Sequence, residues 1–251
     1  MQTERSNHPS DYIFGIRAII EAVRAGKQVD KILMKHGQKG DLMQELFDLA
    51  KENNIPMLRV PVEKLDRITR KNHQGVIALM SPVSFCSIED IVAQSFDEGR
   101  MPFVMAIDGV SDVRNFGAIV RSAECAGVDA IIVPEHGAVR IGPDAVKTSA
   151  GALHNVPICR TADLRKTLQY LMNSGLKICG ASEKAECNYF DHDLTGPLCI
   201  VMGAEDTGLS NDVLRICEPL LRIPLSGKIE SLNVSAAAAV LMFEVVRQRH
   251  A

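Results

Sequence analysis

The sequence predicts an α/β fold: a parallel sheet with helices on both faces, preceded by a small N-terminal α/β domain. Three observations predict it. Strand-like and helix-like segments alternate along the chain. Several strand-like segments, such as "PFVMAIDGV" (102–110) and "PLCIVMG" (197–203), are continuous apolar runs, as expected of strands buried on both faces. A break, "SPVSFCS" (81–87), splits the alternation in two. With 251 residues, 46% of them hydrophobic, the chain can build one large or two small domains with a real core.

In the first block, 1–80, "GIRAIIEAVRAGK" has apolar residues at 16, 19, 20 and 23, a helical spacing, and stops at Gly26. "KILM" reads as a strand, "DLMQELFDLAKENN" as an amphipathic helix, "IPMLRV" as a strand, "VEKLDRIT" as a short helix and "GVIALMS" as a strand. Residues 81–98 read as a linker carrying a helix at about 88–98. The second block, 99–251, opens with the strand that ends at Asp108-Gly109. "NFGAIVRSAECAG" then reads as a helix, "AIIV" as a strand, Pro143 as a helix start and "NVPICR" as a strand. The helix "ADLRKTLQYLMNSG" and the strand "KICGAS" follow. Next come the strand "PLCIVMG", a helix capped by Ser210, the strand "LLRIPL" (220–225) and a last helix at 234–247.

Composition narrows the function. No apolar run approaches a membrane span, and "MQTERSNHPSDY" has no signal-peptide core. Seven scattered cysteines with no Cys-x-x-Cys pair predict reduced thiols in a cytoplasmic protein, with neither a disulfide framework nor a metal site. Net charge is −3 overall, but residues 1–80 hold 13 Lys+Arg against 10 Asp+Glu, so basic character is local. Its densest stretch is "RITRKNHQG", with Arg67, Arg70, Lys71 and His73. Alone, that stretch reads as a solvated helix end, with Gly75 as its stop.

Three stretches place unusual chemistry beyond strand ends, where ligands of such sheets bind. In "DGVSDVRNFGAIVRSAE", Asn115 stands where an N-cap belongs, and Arg121 lies beside apolar Ile119 and Val120. An arginine on the core side of a helix is expected to have a partner, at its simplest a neighbouring acid. "VMGAEDTGLS" resembles a phosphate loop, but Leu209 stands where such a loop needs lysine. No G-x-G-x-x-G follows a strand either, which argues against a dinucleotide site. In "IPLSGKIESLNVSAAAA", Ser231, Asn233 and Ser235 are more polar groups than one helix cap requires. The four alanines behind them permit close backbone packing.

Together "NFGAIVRSA", "VMGAEDTGLS" and "IPLSGKIESLNVSAAAA" resemble, in order and spacing over 108–241, the three motifs of the SpoU/TrmH family. These are S-adenosylmethionine-dependent RNA ribose 2′-O-methyltransferases of the SPOUT superfamily. "FGIRAIIEAVRAGK" and "HQGVIALMSP" resemble the substrate-binding domain fused ahead of the catalytic domain in enzymes that methylate a guanosine of 23S ribosomal RNA. In one departure, Asp206 stands where many members have glycine.

The resemblance implies a C-terminal deep trefoil knot holding the methyl donor in loops at 202–205, 223–227 and 231–235. It implies a homodimer with the active site near the subunit interface, RNA as substrate, and no metal. Met202, Gly203, Ile223, Leu225 and Leu232 would hold the cofactor. Arg121, Asn115, Glu205, Ser231 and Asn233 match the polar catalytic positions, and Arg67, Arg70 and Lys71 would contact RNA. Two rival functions remain: methylation of a tRNA guanosine, and a non-enzymatic RNA-binding protein built on the same scaffold.

Overall fold

The computed structural model describes residues 12–135, 137, 139, 141–229 and 231–250. The opening stretch whose composition argued against a signal peptide lies almost wholly outside them. The contacts divide the chain into one unit of residues 1–83 and 141–143, and a second of 84–140 and 144–251.

The first unit runs β1 (Tyr12–Phe14), α1 (Ile16–Arg24), β2 (Val29–Lys35), α2 (Asp41–Glu52), β3 (Met57–Val60), α3 (Val62–Asp66) and β4 (Val76–Met80). Its four-stranded sheet has the order β1-β4-β2-β3, with β2 and β3 parallel and the other pairs antiparallel. Alternation along the strands supplies two faces. Ile32, Met34 and Ala78 pack with Ile19, Val23, Met43 and Leu46 of the amphipathic α1 and α2. Leu33, Ile77 and Leu79 pack with Val60 and with Leu65 of α3. Each fully buried leucine or isoleucine here is worth about 2–5 kcal/mol against alanine. His73, counted with the basic run, is instead buried and structural. Its Nδ1 accepts from Gly75 N–H (3.0 Å) and its Nε2 lies 3.0 Å from Asp66 Oδ1.

The second unit contains β5 (Phe85–Cys86), α4 (Ile88–Asp97), β6 (Phe103–Asp108), α5 (Val113–Cys125), β7 (Ala130–Pro134), α6 (Pro143–Thr148), β8 (Ile158–Thr161) and α7 (Leu164–Asn173). β9 (Lys177–Ala181), β10 (Leu198–Gly203), α8 (Asn211–Leu214), β11 (Leu220–Leu221) and α9 (Val234–Arg249) complete it. The seven strands are all parallel, in the order β11-β9-β10-β6-β7-β8-β5. Val104, Ala106, Ile132, Cys199 and Val201 face α4 and α7 through Val92, Leu168 and Leu171. Residues of opposite parity, such as Phe103, Met105 and Ile107, are equally buried on the other face. There α9 reaches the sheet: the Arg249 guanidinium lies 5.4 Å from the Phe103 ring centroid. The predicted two-faced parallel sheet is therefore present.

Two expectations are corrected. The span read as a linker, 81–98, supplies an edge strand and a core helix to the second unit. β5 pairs with β8, Ser87 caps α4 by accepting from Asp90 N–H, and Val92 is buried in the core. The strand read at 220–225 ends at Leu221; residues 223–226 are irregular. The sheet order also locates a crevice. The chain runs outward from β6 through β7 to β8, then returns to lay β10 and β9 on the other side of β6. At such a reversal a cleft opens beyond the carboxyl ends of the strands.

Candidate active site

The carboxyl ends of β6, β10 and β11 carry the three stretches singled out in the sequence. Asp112, not Asn115, caps α5: its Oδ1 accepts from the N–H groups of Arg114 (2.8 Å) and Asn115 (3.0 Å). Those two bonds hold the Asp112 carboxyl below its ordinary value, Asn115 N–H first and Arg114 N–H second. Asn115 is thereby released from capping. Its Nδ2 donates to Glu205 Oε2 at 3.1 Å.

Asn233 does cap α9, and also does more. Its Oδ1 accepts from Ser235 N–H (3.0 Å) and Ser235 Oγ (2.6 Å). Its Nδ2 donates to Asn115 Oδ1 (3.0 Å) and Glu205 Oε1 (3.2 Å). Asn115, Glu205 and Asn233, from three distant parts of the chain, thus form one closed cluster. The Glu205 carboxylate accepts from both amides, one on each oxygen.

The turn that bears Glu205 is shaped by two glycines. Gly208 has φ +68, the left-handed region that favours glycine. Gly203 has no room for a side chain, because a Cβ there would land on the backbone of Gly208 and Leu209. Ala204 and Gly208 exchange backbone hydrogen bonds at 2.9 and 3.0 Å, and Ser210 N–H donates to Asp108 Oδ2 at 2.7 Å, tying the turn to β6. Ser210 therefore anchors the loop through its backbone and makes no side-chain cap on α8. Asp206 is not among the residues of positive φ. Carrying aspartate there in place of glycine costs the turn no backbone strain.

Beside the cluster opens a cleft of about 650 Å³, counting the solvent in its mouth. Met202, Gly203, Ile223, Leu225 and Leu232, the five residues expected to hold a cofactor, all line it, as do Ser231 and Glu205. Leu225 and Leu232 are 40% exposed each, apolar surface facing the opening rather than the core. The sequence reading missed Ala181, Ser182 and Glu183, which follow β9 and also line the cleft. Their signal was positional: they stand just past the end of a strand adjacent to β10. Among the described residues the lining holds two carboxylates, Glu183 and Glu205, and no lysine or arginine. Such a cleft disfavours phosphate-bearing ligands and accommodates a neutral or cationic one with apolar surface.

A second cavity shares Ala204, Glu205 and Val234 with the first and continues past Asn115 to Gly109–Asp112 and Asp206. Glu205 therefore stands between two openings. Arg121 is not in either. It is exposed, and among the described residues it makes no ion pair or hydrogen bond. At about 100° per residue it falls on the far side of α5 from the buried Phe116, Val120 and Ala123, which corrects its expected core-side place. Arg67, Arg70 and Lys71 of the first unit are exposed and without ion pairs among the described residues; Lys71 Nζ lies 6.0 Å from the Phe14 ring centroid. Among the described residues no group of three or more His, Cys, Asp or Glu could hold a metal ion, and no helix is long and apolar enough to cross a membrane.

Comparison with known proteins matches residues 102–243 to the model of the SpoU rRNA Methylase family, and residues 12–86 to that of the RNA 2′-O ribose methyltransferase substrate binding domain. YacO of Bacillus subtilis (strain 168), assigned to the TrmH family of tRNA/rRNA methyltransferases, is 31% identical over 240 residues, covering 96% of each chain. A relative from Staphylococcus haemolyticus (strain JCSC1435), assigned to the same family, is 34% identical over 95% of this chain and 96% of its own. Among solved structures, the SpoU methyltransferase AviRb from Streptomyces viridochromogenes, in complex with AdoMet, superposes with a TM-score of 0.60. It is 26% identical, and the match covers 95% of this chain and 90% of that one. The fold agrees with these matches, and the chain belongs to the SpoU rRNA methylase family.

Proposed function

We propose that the chain transfers a methyl group from S-adenosylmethionine to the ribose 2′-hydroxyl of a guanosine in 23S ribosomal RNA. The observation that carries this reading is the convergence of Met202–Gly208, Leu221–Leu225 and Ser231–Leu232 on one acid-lined cleft beside the Asn115–Glu205–Asn233 cluster. The cleft chemistry fits the donor: apolar Ile223, Leu225 and Leu232 for the adenine and side chain, and carboxylates rather than cations near a sulfonium. When bound, S-adenosylmethionine supplies a methyl already activated for in-line displacement. Met202, Gly203, Ile223, Leu225 and Leu232 would hold it, the irregular 223–226 segment through its peptide groups. The expected deep trefoil knot of 202–235 is part of this reading.

The second cavity, walled by Asn115, Glu205 and Asp206, is the side from which a ribose would approach. There Asn115 and Asn233 keep Glu205 oriented so that it can accept a hydrogen bond from the 2′-hydroxyl. Ser231, at the cleft wall, would help position the reacting groups. The remaining requirement is a cation to stabilise the developing alkoxide, and the cluster has none of its own. Arg121 is the candidate, acting at the site of a second copy. Its role is electrostatic, gripping a flanking phosphate as well.

The surface of α9 supports such a homodimer. Opposite its buried Leu241, Met242 and Val245 runs a second stripe, Ala236, Val240 and Phe243, the last 48% exposed. The first ten residues of α9, apolar on two opposite sides, suit a second cover on the exposed one. Arg67, Arg70 and Lys71 would hold RNA through its phosphates. The test is incubation with labelled S-adenosylmethionine and total RNA, followed by mapping of the modified nucleotide. Label at a 2′-O-methylguanosine of 23S RNA is expected. Label only in tRNA overturns the ribosomal target, and no label in any RNA overturns the enzyme reading.

A further inference from the structure

The first unit has a cavity that the function above leaves unused. It lies between the turn after β2 (residues 36–40) and the first half of α2. Met43 and Phe47 form its apolar wall, Gln38 and Gln44 its amide rim, and Lys39 and Arg59 stand at its mouth. No carboxylate lines it. The neighbouring groove along the same helix has the opposite excess: Asp41, Glu45, Asp48 and Glu52 line it with one cation, Arg24, which pairs with Glu45. Charge is therefore segregated around α2, and only one side suits an anion.

The polar groups of the cavity are partly committed, in a way that selects a ligand. Gln38 Nε2 donates to Gln74 O (3.0 Å) and Gln44 Nε2 donates to Asp48 Oδ1 (3.1 Å). Each amide is left with its carbonyl oxygen, an acceptor for the N–H groups on a base edge. Lys39 and Arg59 make no ion pair among the described residues. The bond from Gln38 also ties this turn to the loop that carries Arg70 and Lys71, and Lys35 N–H donates to Gly75 O (2.9 Å) at the same edge. The cavity and the basic run are thus one surface at one end of the sheet.

We propose that this cavity takes one unstacked base of a single-stranded RNA segment, set against Phe47 and Met43, with Lys39 and Arg59 on the adjoining phosphates. The inference rests on the RNA-modifying role argued above. Unpaired RNA bases stack on aromatic side chains and expose hydrogen-bonding edges that an A-form helix keeps from proteins. A duplex would engage the cations but leave the apolar wall and the amide oxygens unfilled.

The test uses the full chain and two fluorescein-labelled RNAs of the same stem, one closed by a seven-nucleotide loop and one fully paired, read by anisotropy. Phe47→Leu keeps the volume packed against the core of α1 and α2 and removes the aromatic face. It should weaken hairpin binding about tenfold and duplex binding less than about twofold. Lys39→Glu with Arg59→Gln should lower the slope of log K against log salt by about 1.4 for the hairpin, two phosphates at about 0.7 each. Far-UV circular dichroism of all variants should match the wild type, which controls for folding of the first unit, and S-adenosylmethionine binding, followed by calorimetry, should be unchanged. Unchanged hairpin binding in both variants, or equal losses for hairpin and duplex, overturns the cavity proposal. Failure of the wild-type chain to bind either RNA would overturn the RNA role itself.

Discussion

Replacing Asn233 with aspartate changes one group of the cluster and leaves its shape. The capping oxygen remains, with its bonds to Ser235 N–H and Oγ, and a negative charge at the start of α9 is itself worth about 0.3–1 kcal/mol. The other atom reverses its role. A donor facing Asn115 Oδ1 at 3.0 Å and Glu205 Oε1 at 3.2 Å becomes an acceptor carrying charge. Two carboxylates at that separation repel by about 5 kcal/mol at an effective dielectric constant of 20, and by about 1.3 in bulk water. Because Asn233 and Glu205 are both solvent-exposed, the lower part of that range applies. Adding two lost hydrogen bonds of about 1 kcal/mol each, the cluster geometry should be disfavoured by about 3 kcal/mol, or roughly 100-fold in kcat/KM. Global stability should hardly move, since Glu205 can swing into water while the cap holds. Asn233→Ala makes the informative comparison. It loses the cap, about 1 kcal/mol, but introduces no repulsion. Aspartate should therefore be the more stable variant and the less active one, measured by thermal melting and by methyl transfer to RNA. An aspartate variant at least as active as the alanine variant would refute the clustering of these side chains as the working geometry.

Four further outcomes are expected. Gly203→Ala should abolish S-adenosylmethionine binding in calorimetry, because the added Cβ forces the Gly208–Leu209 backbone away; retained affinity would show that the turn can yield. Leu232→Asp should do the same by placing a charge against an apolar ring, and undiminished binding would remove Leu232 from the donor site. Burial pushes the thiols of Cys159, Cys179 and Cys217 up to about 12 and that of Cys199 well above its ordinary value. No more than three thiols, those of the exposed Cys86, Cys125 and Cys187, should then react with a disulfide reagent at pH 8 before denaturation, and a fourth would contradict that packing. Hydrogen bonds from Arg247, then Gln248, hold the Glu244 carboxyl below its ordinary 4.5. Its contribution to stability is therefore present above that value and lost as pH falls through the lower folded one. The gap in urea stability between wild type and Glu244→Gln should accordingly close on acidification from pH 7 to 3; a widening gap would refute the assignment.

Periodicity made most elements legible, because α1, α2, α5 and α7 bury one stripe each and the central strands bury both faces. What escaped was decided by partners far away in sequence. In "DVRN" both Asp112 and Asn115 are good caps. The choice of Asp112 is settled only by the demand of Glu205, 90 residues on, for the Asn115 amide. β5 has two residues and no pattern of its own, and exists because β8 leaves an open edge. Composition placed His73 with the cations, whereas Asp66 and Gly75 hold it inside. Arg121 was misjudged from its immediate neighbours: Ile119 and Val120 are buried, yet one more residue of helical rotation takes the side chain outward.

That rotation bears on how the site is divided. α5 sends Asn115 toward Glu205 and the second cavity and Arg121 away from both, so one helix presents the two side chains to different surfaces. A cation fixed next to Glu205 in the same chain would pair with that carboxylate and take the place of the amides. Keeping the guanidinium on the outer flank of α5 leaves Glu205 with neutral donors and both its oxygens oriented. The three polar residues ahead of the alanines then have separate reasons to be there. Ser231 faces the cleft, Ser235 braces the capping oxygen, and Asn233 must cap and donate at once. Serine and aspartate can cap, but neither supplies an amide N–H on the opposite atom. Asparagine is therefore the residue type that joins the start of α9 to a carboxylate without charge, and the alanines behind it keep the helix thin enough for α5 to lie close.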